Sequence, residues 1–145
     1  MVGKGRRSAL LTLVERKSGY ACIGRVDSMK SDMTMCVAKR RMKDLPPALR
    51  RSVTFDNGKE FAEHAILTKY LALEVYFAKP YASWQRGTNE NTNGLLRQFF
   101  PKGTDFTQVS HHEVARVEQL LNERPRRRLD NRTPAEILAP RMCCN

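Results

Sequence analysis

The segment from Ser52 to Ala78 limits the possible fold most, because it has the pattern of a strand, a helix and a second strand. Residues 52–55 form a short β-branched and aromatic run that stops at Asp56-Asn57-Gly58, a sequence with strong turn chemistry. Residues 59–71 are then expected to form a helix and residues 74–78 a buried strand. Two strands joined by such a crossover lie parallel, with a right-handed connection. The sequence therefore predicts an α/β fold.

Two further strand candidates precede this unit. Residues 8–15 and 20–26 are rich in aliphatic residues and are separated by the turn-like Lys17-Ser18-Gly19, which predicts a hairpin. Ser31 and Asp32 are the expected N-caps of a helix from about residue 33 to residue 43.

Helices are predicted for most of the remaining chain. One begins near Thr88, runs to about Phe99 and carries Glu90 in its first turn. Two more should begin at capping boxes, in which a hydroxyl side chain and a carboxylate satisfy each other's backbone N–H groups. These boxes are formed by Ser110 with Glu113 and by Thr133 with Glu136.

Asp56 and Glu90 are the candidate catalytic residues. Asp56 follows the first strand of the predicted parallel pair, and open α/β sheets place their sites at the carboxyl ends of strands. Glu90 is separated from it by 33 intervening residues, one crossover farther along the chain. Carboxylate oxygens paired in this way suit Mg²⁺, which prefers a few carboxylates, waters and a substrate phosphate.

Each acid also has an ordinary structural explanation. Asp-Asn-Gly is common in turns, and a glutamate in a first helical turn interacts favourably with the helix dipole. Asn93 and Arg97 recur at helical spacing after Glu90 and share its face, which could contact DNA or could simply be solvated.

The charge balance indicates a polyanionic partner. The 145 residues contain 26 Lys and Arg against 15 Asp and Glu, giving a net charge of +11 and a pI near 10.0. DNA or RNA is the leading candidate. No apolar stretch is long enough for a membrane span or a signal peptide, so a cytoplasmic location is expected, and no cysteine pair has zinc-ligand spacing.

Four segments resemble the bacterial transposases of the insertion-sequence-thirty family. They are T-L-V-E-R-K-S (12–18), T-F-D-N-G-K-E-F-A-E-H (54–64), the long block Y-F-A-K-P-Y-A-S-W-Q-R-G-T-N-E-N-T-N-G-L-L-R-Q-F-F-P-K-G-T-D-F (76–106), and L-N-E-R-P-R-R-R-L (121–129) with T-P-A-E-I-L (133–138). The resemblance covers nearly the whole chain and corresponds to the C-terminal part of such a protein.

The resemblance implies a ribonuclease-H-like fold of the retroviral-integrase type, with a mixed sheet, flanking helices and a helical C-terminus. It implies an integrase-type catalytic core over residues 1–140 and a tail at 141–145. It also implies a DDE site in which three acids hold Mg²⁺, or Mn²⁺, for DNA strand cleavage and transfer, with Asp56 the second acid and Glu90 the third.

The first acid of the family pattern would precede Gly3-Lys4 by about four residues and so falls before Met1. Its strand would lie centrally in the sheet, and its neighbours would lose hydrogen-bonding partners without it. We therefore expect the isolated chain to be N-terminally truncated, poorly stable and impaired in catalysis, or to be a catalytically inactive DNA-binding remnant. Asp27 and Asp32 are weak substitutes, because both follow the second hairpin strand.

DNA contacts are expected around the site and from an arginine cluster after residue 123, and they should be mostly to phosphates. A solvated basic loop is the alternative for the arginines, and packing is the alternative for Trp84. The expected partners are insertion-element ends and target DNA, with a possible homo-oligomer. The candidate DNA-binding residues are Lys59, Trp84, Gln85, Arg86, Asn93, Arg97, Arg126, Arg127 and Arg128.

Overall fold

The computed structural model describes residues 1–55, 58–79 and 87–142. Four strands and five α-helices lie in these ranges, together with short 3-10 turns. The strands are β1 (Ala9–Val14), β2 (Ala21–Val26), β3 (Ser52–Phe55) and β4 (Glu74–Phe77). The helices are α1 (Ser31–Lys43), α2 (Ala65–Leu71), α3 (Gly87–Leu96), α4 (His111–Asn122) and α5 (Pro134–Met142). Within these residues no helix has the length and apolar character needed to cross a bilayer.

The predicted hairpin is confirmed, and both of its faces are covered. β1 and β2 pair antiparallel, with Ala9 opposite Val26 and Val14 opposite Ala21. Successive side chains of a strand point to opposite faces, so the hairpin contributes to two separate apolar clusters. Leu10 and Ile23 belong to one cluster, and Ala9, Leu11 and Val26 belong to the other.

The two clusters are named here by the helices that complete them. The α3–α4 core contains Leu10, Ala21, Ile23, Leu96, Phe100, Phe106, Val109, Val114, Val117 and Leu121. The α1–α2 core contains Ala9, Leu11, Val26, Met35, Val37, Ala38, Met42, Phe55, Leu67, Leu71 and Leu73. The hairpin therefore forms a layer between α1 on one side and α3 with α4 on the other.

Helix α1 approaches β2 very closely at Gly24. A Cβ built on Gly24 would lie 2.4 Å from the Cγ1 of Val37 and 3.3 Å from the Cγ of Arg41. No real Cβ makes the first contact, so the missing side chain sets the spacing between the sheet and the helix.

The predicted parallel pair is also confirmed, since β3 pairs with β4 in parallel from Ser52 opposite Glu74 to Phe55 opposite Phe77. The prediction that β4 is buried is wrong. Tyr76 is 53% exposed and Phe77 is 40% exposed, because only the inward face of this pair packs on the α1–α2 core.

The two pairs are separate two-stranded sheets within the described residues. Met1 and Leu10 exchange backbone hydrogen bonds of 2.5 and 2.8 Å, which shows that Leu10 directs its backbone groups away from β2. By the alternation of an antiparallel strand, Thr12 and Val14 direct theirs to the same side, where no described residue bonds to them. This side is called the inner edge of the hairpin.

The opposite side of the hairpin, called its outer edge, is closed by side chains of α4. The Ala21 N–H donates to the Oδ1 of Asn122 and the Ala21 carbonyl accepts from its Nδ2, both at 2.8 Å. The Ile23 N–H donates to the Oε2 of Glu118 at 2.5 Å. Glu118 also forms an ion pair with Arg41 of α1.

Two local predictions are wrong. Ser31 and Asp32 do not cap α1, because Lys30 is its N-cap and the Ser31 hydroxyl instead accepts from the Glu63 N–H at 2.8 Å. The single helix expected over residues 59–71 is a 3-10 turn at Lys59–Phe61 followed by α2. In that turn Phe61 stacks on Phe55 with 4.3 Å between ring centroids.

The predicted capping box at Thr133 is complete, and at Ser110 the N-cap half of the predicted box is present. The Ser110 hydroxyl accepts from the Glu113 N–H at 3.0 Å at the start of α4. At the start of α5 the Thr133 N–H donates to the Glu136 carboxylate at 2.7 Å, and the Glu136 N–H donates to the Thr133 hydroxyl at 3.1 Å. Local sequence thus specifies where the C-terminal helices begin.

Candidate functional site

Helix α3 carries the candidate glutamate. Glu90 lies in its first turn, as predicted, and its side chain is exposed. The helix is fixed beneath it by buried Thr92 and Leu96, and Leu96 packs into the α3–α4 core. The Thr92 hydroxyl donates to the Thr88 carbonyl at 2.9 Å. Glu90 therefore projects from a helix whose opposite face is anchored.

A polar contact connects this helix to the hairpin. The Thr12 hydroxyl of β1 donates to the Oδ1 of Asn93 at 2.9 Å, joining residues 81 positions apart. Asn93 lies one helical turn after Glu90, so the two side chains share a face. Glu90 therefore lies about one helical turn from the contact between α3 and β1.

Arg97 continues this face by another turn. It is half-buried, and its Nη1 lies 3.4 Å from the Pro101 carbonyl. No acid among the described residues pairs with it, so its charge is not neutralised within them.

Four predicted site residues lie outside the described residues, namely Asp56, Trp84, Gln85 and Arg86. Asp56 directly follows Phe55, the last residue of β3, whose carbonyl accepts from the Ala78 N–H at 2.8 Å. The convergence of Asp56 with Glu90 stays a prediction.

The donor atoms near Glu90 can be compared with the requirements of Mg²⁺. Glu90 offers carboxylate oxygens and its neighbour on the face, Asn93, an amide oxygen, and hard oxygen donors suit this ion. No group of three or more His, Cys, Asp or Glu side chains comes together as a metal site in the described part of the chain. The donor atoms present are thus of the type that Mg²⁺ prefers, while the described residues alone supply too few acids.

The arginine cluster has a defined geometry. The Arg126 N–H donates to the Arg132 carbonyl at 3.0 Å, and the Leu129 N–H donates to the Arg126 carbonyl at 2.9 Å, which closes the segment into a compact turn. Arg126 is half-buried, whereas Arg127 and Arg128 are exposed. The alternative of a solvated basic loop stays open for this cluster.

Burial lowers the pKa of the Arg126 guanidinium, and the nearby charges of Arg124 and Arg128 lower it further. This arrangement concentrates positive charge at one place, as a phosphate-binding surface requires. Lys59 is also exposed, at the start of the turn that follows β3. Its role as a DNA contact stays a prediction.

Sequence comparison finds transposases. The chain is 44% identical over 138 residues to the transposase InsI of insertion sequence element IS30A from Escherichia coli strain K12, covering 95% of this chain and 36% of that protein. It is 39% identical over 136 residues to the transposase of insertion sequence element IS4351 from Bacteroides fragilis, covering 94% of this chain and 41% of that protein. The chain thus spans well under half the length of these relatives. No family model matches it.

Structure comparison gives the fold. The crystal structure of the catalytic core domain of BIV integrase superposes with a TM-score of 0.70 at 17% sequence identity, covering 97% of this chain and 90% of that one. The chain therefore has the ribonuclease-H-like fold of integrase cores, with mixed strands and flanking helices, as its sequence predicts.

Proposed function

Because this chain belongs to the insertion-sequence-thirty family of transposases, we propose that it is part of a DDE catalytic core that cleaves DNA strands and transfers them in transposition. The similarity over 95% of its length is the observation that carries this proposal. Insertion-element ends and target DNA are the proposed substrates, and a homo-oligomer is the proposed assembly.

In this proposal Asp56 and Glu90 are the second and third acids and hold Mg²⁺, or Mn²⁺. A bound ion of this kind offsets the repulsion between carboxylates and a phosphodiester and stabilises the charge that develops at the scissile phosphate. The support lies in the exposed position of Glu90, the anchoring of α3 and the sequence position of Asp56 after β3. The chain's own task is to hold the two carboxylates at a fixed separation.

The basic side chains have the task of binding the DNA backbone. Arg97 directly follows α3, one turn after Asn93, and Arg126, Arg127 and Arg128 lie in the turn that follows α4. Lys59, Trp84, Gln85, Arg86 and Asn93 complete the proposed contacts. Because phosphate contacts release counterions, binding should weaken steeply with salt.

The inner edge of the hairpin lies on the strand that contacts α3. Met1 and Val2 run antiparallel to β1, and the backbone groups of Thr12 and Val14 have no partner among the described residues.

The alternative function is that of a DNA-binding remnant without catalysis. The net charge of +11 supports it. The two functions differ in whether a metal site forms at all.

Paramagnetic Mn²⁺ provides a test that does not require turnover. We expect Mn²⁺ to broaden the amide NMR signals of Glu90 and of Phe55 together, because one ion is shared by the carboxylates of Asp56 and Glu90. Either Asp56→Asn or Glu90→Gln should remove the broadening at both places, while Glu123→Gln at the exposed end of α4 should leave it unchanged. Broadening at Glu90 that survives Asp56→Asn would contradict a shared site.

A DNA assay then separates catalysis from binding alone. Purified chain is incubated with labelled insertion-end DNA in Mg²⁺, and nicked and joined products are measured beside a binding isotherm. We expect salt-dependent binding. Mg²⁺-dependent nicked or joined products would support catalysis, binding without such products would favour the DNA-binding remnant, and the absence of both binding and Mn²⁺ broadening would refute the proposed function.

A further inference from the structure

A cavity of about 230 Å³ lies where three parts of the chain meet. The β1–β2 turn contributes Gly19, the start of α3 contributes Thr88 and Asn91, and the turn after α4 contributes Arg126 and Arg128. Given a liquid volume of roughly 30 Å³ per water, the cavity has room for about seven waters. That is enough for a tetrahedral anion with part of what it is attached to.

Both guanidinium groups are held in place by neutral atoms. The Nη1 of Arg128 donates to the Lys17 carbonyl at 3.2 Å, across 111 residues of sequence. The Nη2 of Arg126 donates to the Leu121 carbonyl at 3.2 Å, at the end of α4. Backbone carbonyls orient the two groups without neutralising their charge.

Gly19 provides the space that Arg128 occupies. A Cβ on Gly19 would lie 2.1 Å from the Nη2 of Arg128, and Gly19 has φ of +71°, which a side chain would strain. The hairpin turn and the arginine turn therefore pack against each other, and the guanidinium of Arg128 lies directly against Gly19.

Neither of the ion pairs among the described residues involves this cavity, since they join Arg25 with Asp27 and Arg41 with Glu118. The Nε of Arg126 is buried and has no hydrogen-bond partner in the described structure. The charge of Arg128 lies close enough to lower the pKa of Arg126, and two like charges held this close favour a bound anion.

The start of α3 adds further attraction for an anion. The N-terminal turn of an α-helix carries partial positive charge, and the side chains of Thr88 and Asn91 add hydrogen-bonding groups there. The planar guanidinium forks of two arginines match the oxygens of a phosphate.

We propose that this cavity binds one phosphate of the DNA backbone, through Arg126, Arg128 and the first turn of α3. The inference rests on the proposed function and deepens it, because Asn91 immediately follows Glu90. A phosphate in the cavity fixes the position of a DNA strand within about one helical turn of the candidate catalytic carboxylate. The two arginines that line the cavity therefore contribute differently from Arg127, which does not line it.

Inorganic phosphate is the first probe. We expect it to shift the amide NMR signals of Thr88 and Asn91 in the unmodified chain and in Arg132→Gln, but not in Arg126→Gln or Arg128→Gln. Arg132→Gln is the matched control, because it removes the same charge from an exposed position of the same turn. Gly19→Ala should weaken the response as well, by displacing Arg128. Circular dichroism establishes that each variant is folded.

Duplex DNA of random sequence is the second probe, with dissociation constants measured over a range of salt concentrations. The log–log slope should become less steep by about 0.9 in Arg126→Gln and in Arg128→Gln, corresponding to one phosphate contact, and should not change in Arg132→Gln.

The outcomes separate the two proposals. If the chain binds no DNA but phosphate still shifts Thr88 and Asn91 in an Arg128-dependent way, the DNA function fails and the anion site stands. If phosphate shifts neither amide, or if all the arginine variants change the salt slope equally, the cavity is not a phosphate site.

Discussion

The backbone hydrogen-bonding groups at the two edges of the β1–β2 hairpin are satisfied in different ways. On the outer edge, Asn122 and Glu118 of α4 satisfy the backbone groups of Ala21 and Ile23. On the inner edge, Leu10 is paired with Met1, and beyond it no described residue bonds to the backbone of Thr12 or Val14. Among the described residues, the outer edge is thus completed by α4, whereas the inner edge, on the strand that contacts Asn93 of α3, has no partner beyond Leu10.

The same contrast continues in the parallel pair. The Arg51 and Phe55 carbonyls of the β3 segment accept from Glu74 and Ala78 on the β4 side. By alternation, Ser52 and Thr54 direct their backbone groups to the other side. Within the described residues, both strands therefore have an edge without a backbone partner beside the α1–α2 core.

Asn122→Ala should have the largest effect on the difference between the two edges, because it removes a side chain that closes the outer edge. The Ala21 N–H and carbonyl would both lose their partner in a buried place, at a cost of about 1 to 3 kcal/mol each. We expect the free energy of unfolding, measured in urea, to fall by about 2 to 6 kcal/mol. Gln119→Ala, on the exposed side of α4, should change it by less than about 0.5 kcal/mol. Equal effects of both substitutions would show that the outer edge needs no side-chain closure.

Thiol labelling should report opening of the hairpin. The pKa of the Cys22 thiol is raised to about 12, mainly by burial. The negative charge of Glu118 contributes to the increase, and the positive charge of Arg41 opposes it by a smaller amount. Against an ordinary value of 9.0, the thiolate fraction at pH 8 is about a thousand times smaller. In a variant with Cys143 and Cys144 replaced by serine, exposed Cys36 should react with iodoacetamide and Cys22 should not.

The raised pKa of Cys22 also sets a direction for stability against pH. The unfolded chain releases the thiol proton first as the pH rises, so the contribution of Cys22 is complete below about pH 9 and is lost between about 9 and 12. Rapid labelling of Cys22 at pH 8 under native conditions would contradict the closed hairpin.

Hydrogen exchange compares the two edges directly. The amides of Ala21 and Ile23 bond to α4 side chains, whereas those of Thr12 and Val14 have no described partner. We expect the first pair to exchange at least about a hundred-fold more slowly, because opening the outer edge requires separation from α4. Equal protection of all four amides would mean that the inner edge is closed as well.

The smallest expected effect concerns the contact between β1 and α3. Thr12→Val removes the hydroxyl that donates to Asn93 while nearly keeping its volume, so stability should fall by about 0.5 to 1.5 kcal/mol. Thr54→Val, at an exposed position of β3, is the control. The NMR signals of Glu90 should shift in the first variant alone, and an unchanged α3 would show that the contact does not position that glutamate.

Local patterns were sufficient to predict some elements of this chain. The N-cap at Ser110 and the capping box at Thr133 depend on residues three positions apart, and the hairpin and the parallel pair each lie within one short continuous segment, so the sequence carries their signals directly. The N-cap at Ser31 was mispredicted because a tertiary contact with Glu63 uses its hydroxyl.

Long-range features had no such signal. Asn122 lies 101 residues from Ala21, and Arg128 lies 111 residues from Lys17, so neither the outer edge nor the cavity can be recognised from spacing. For the candidate site, Glu90 was placed correctly in the first turn of its helix. The arginine cluster was recognised as basic, but the division between cavity-lining and outward arginines required the fold.

The closure of the outer edge also depends on the absence of a side chain at Gly24. The stem of Arg41 crosses Gly24 on its way to Glu118, and Glu118 in turn supports the backbone of Ile23. A single methyl group at position 24 would displace that stem. A substitution inside β2 would therefore disturb the margin of the sheet, although Gly24 makes no bond to the margin itself.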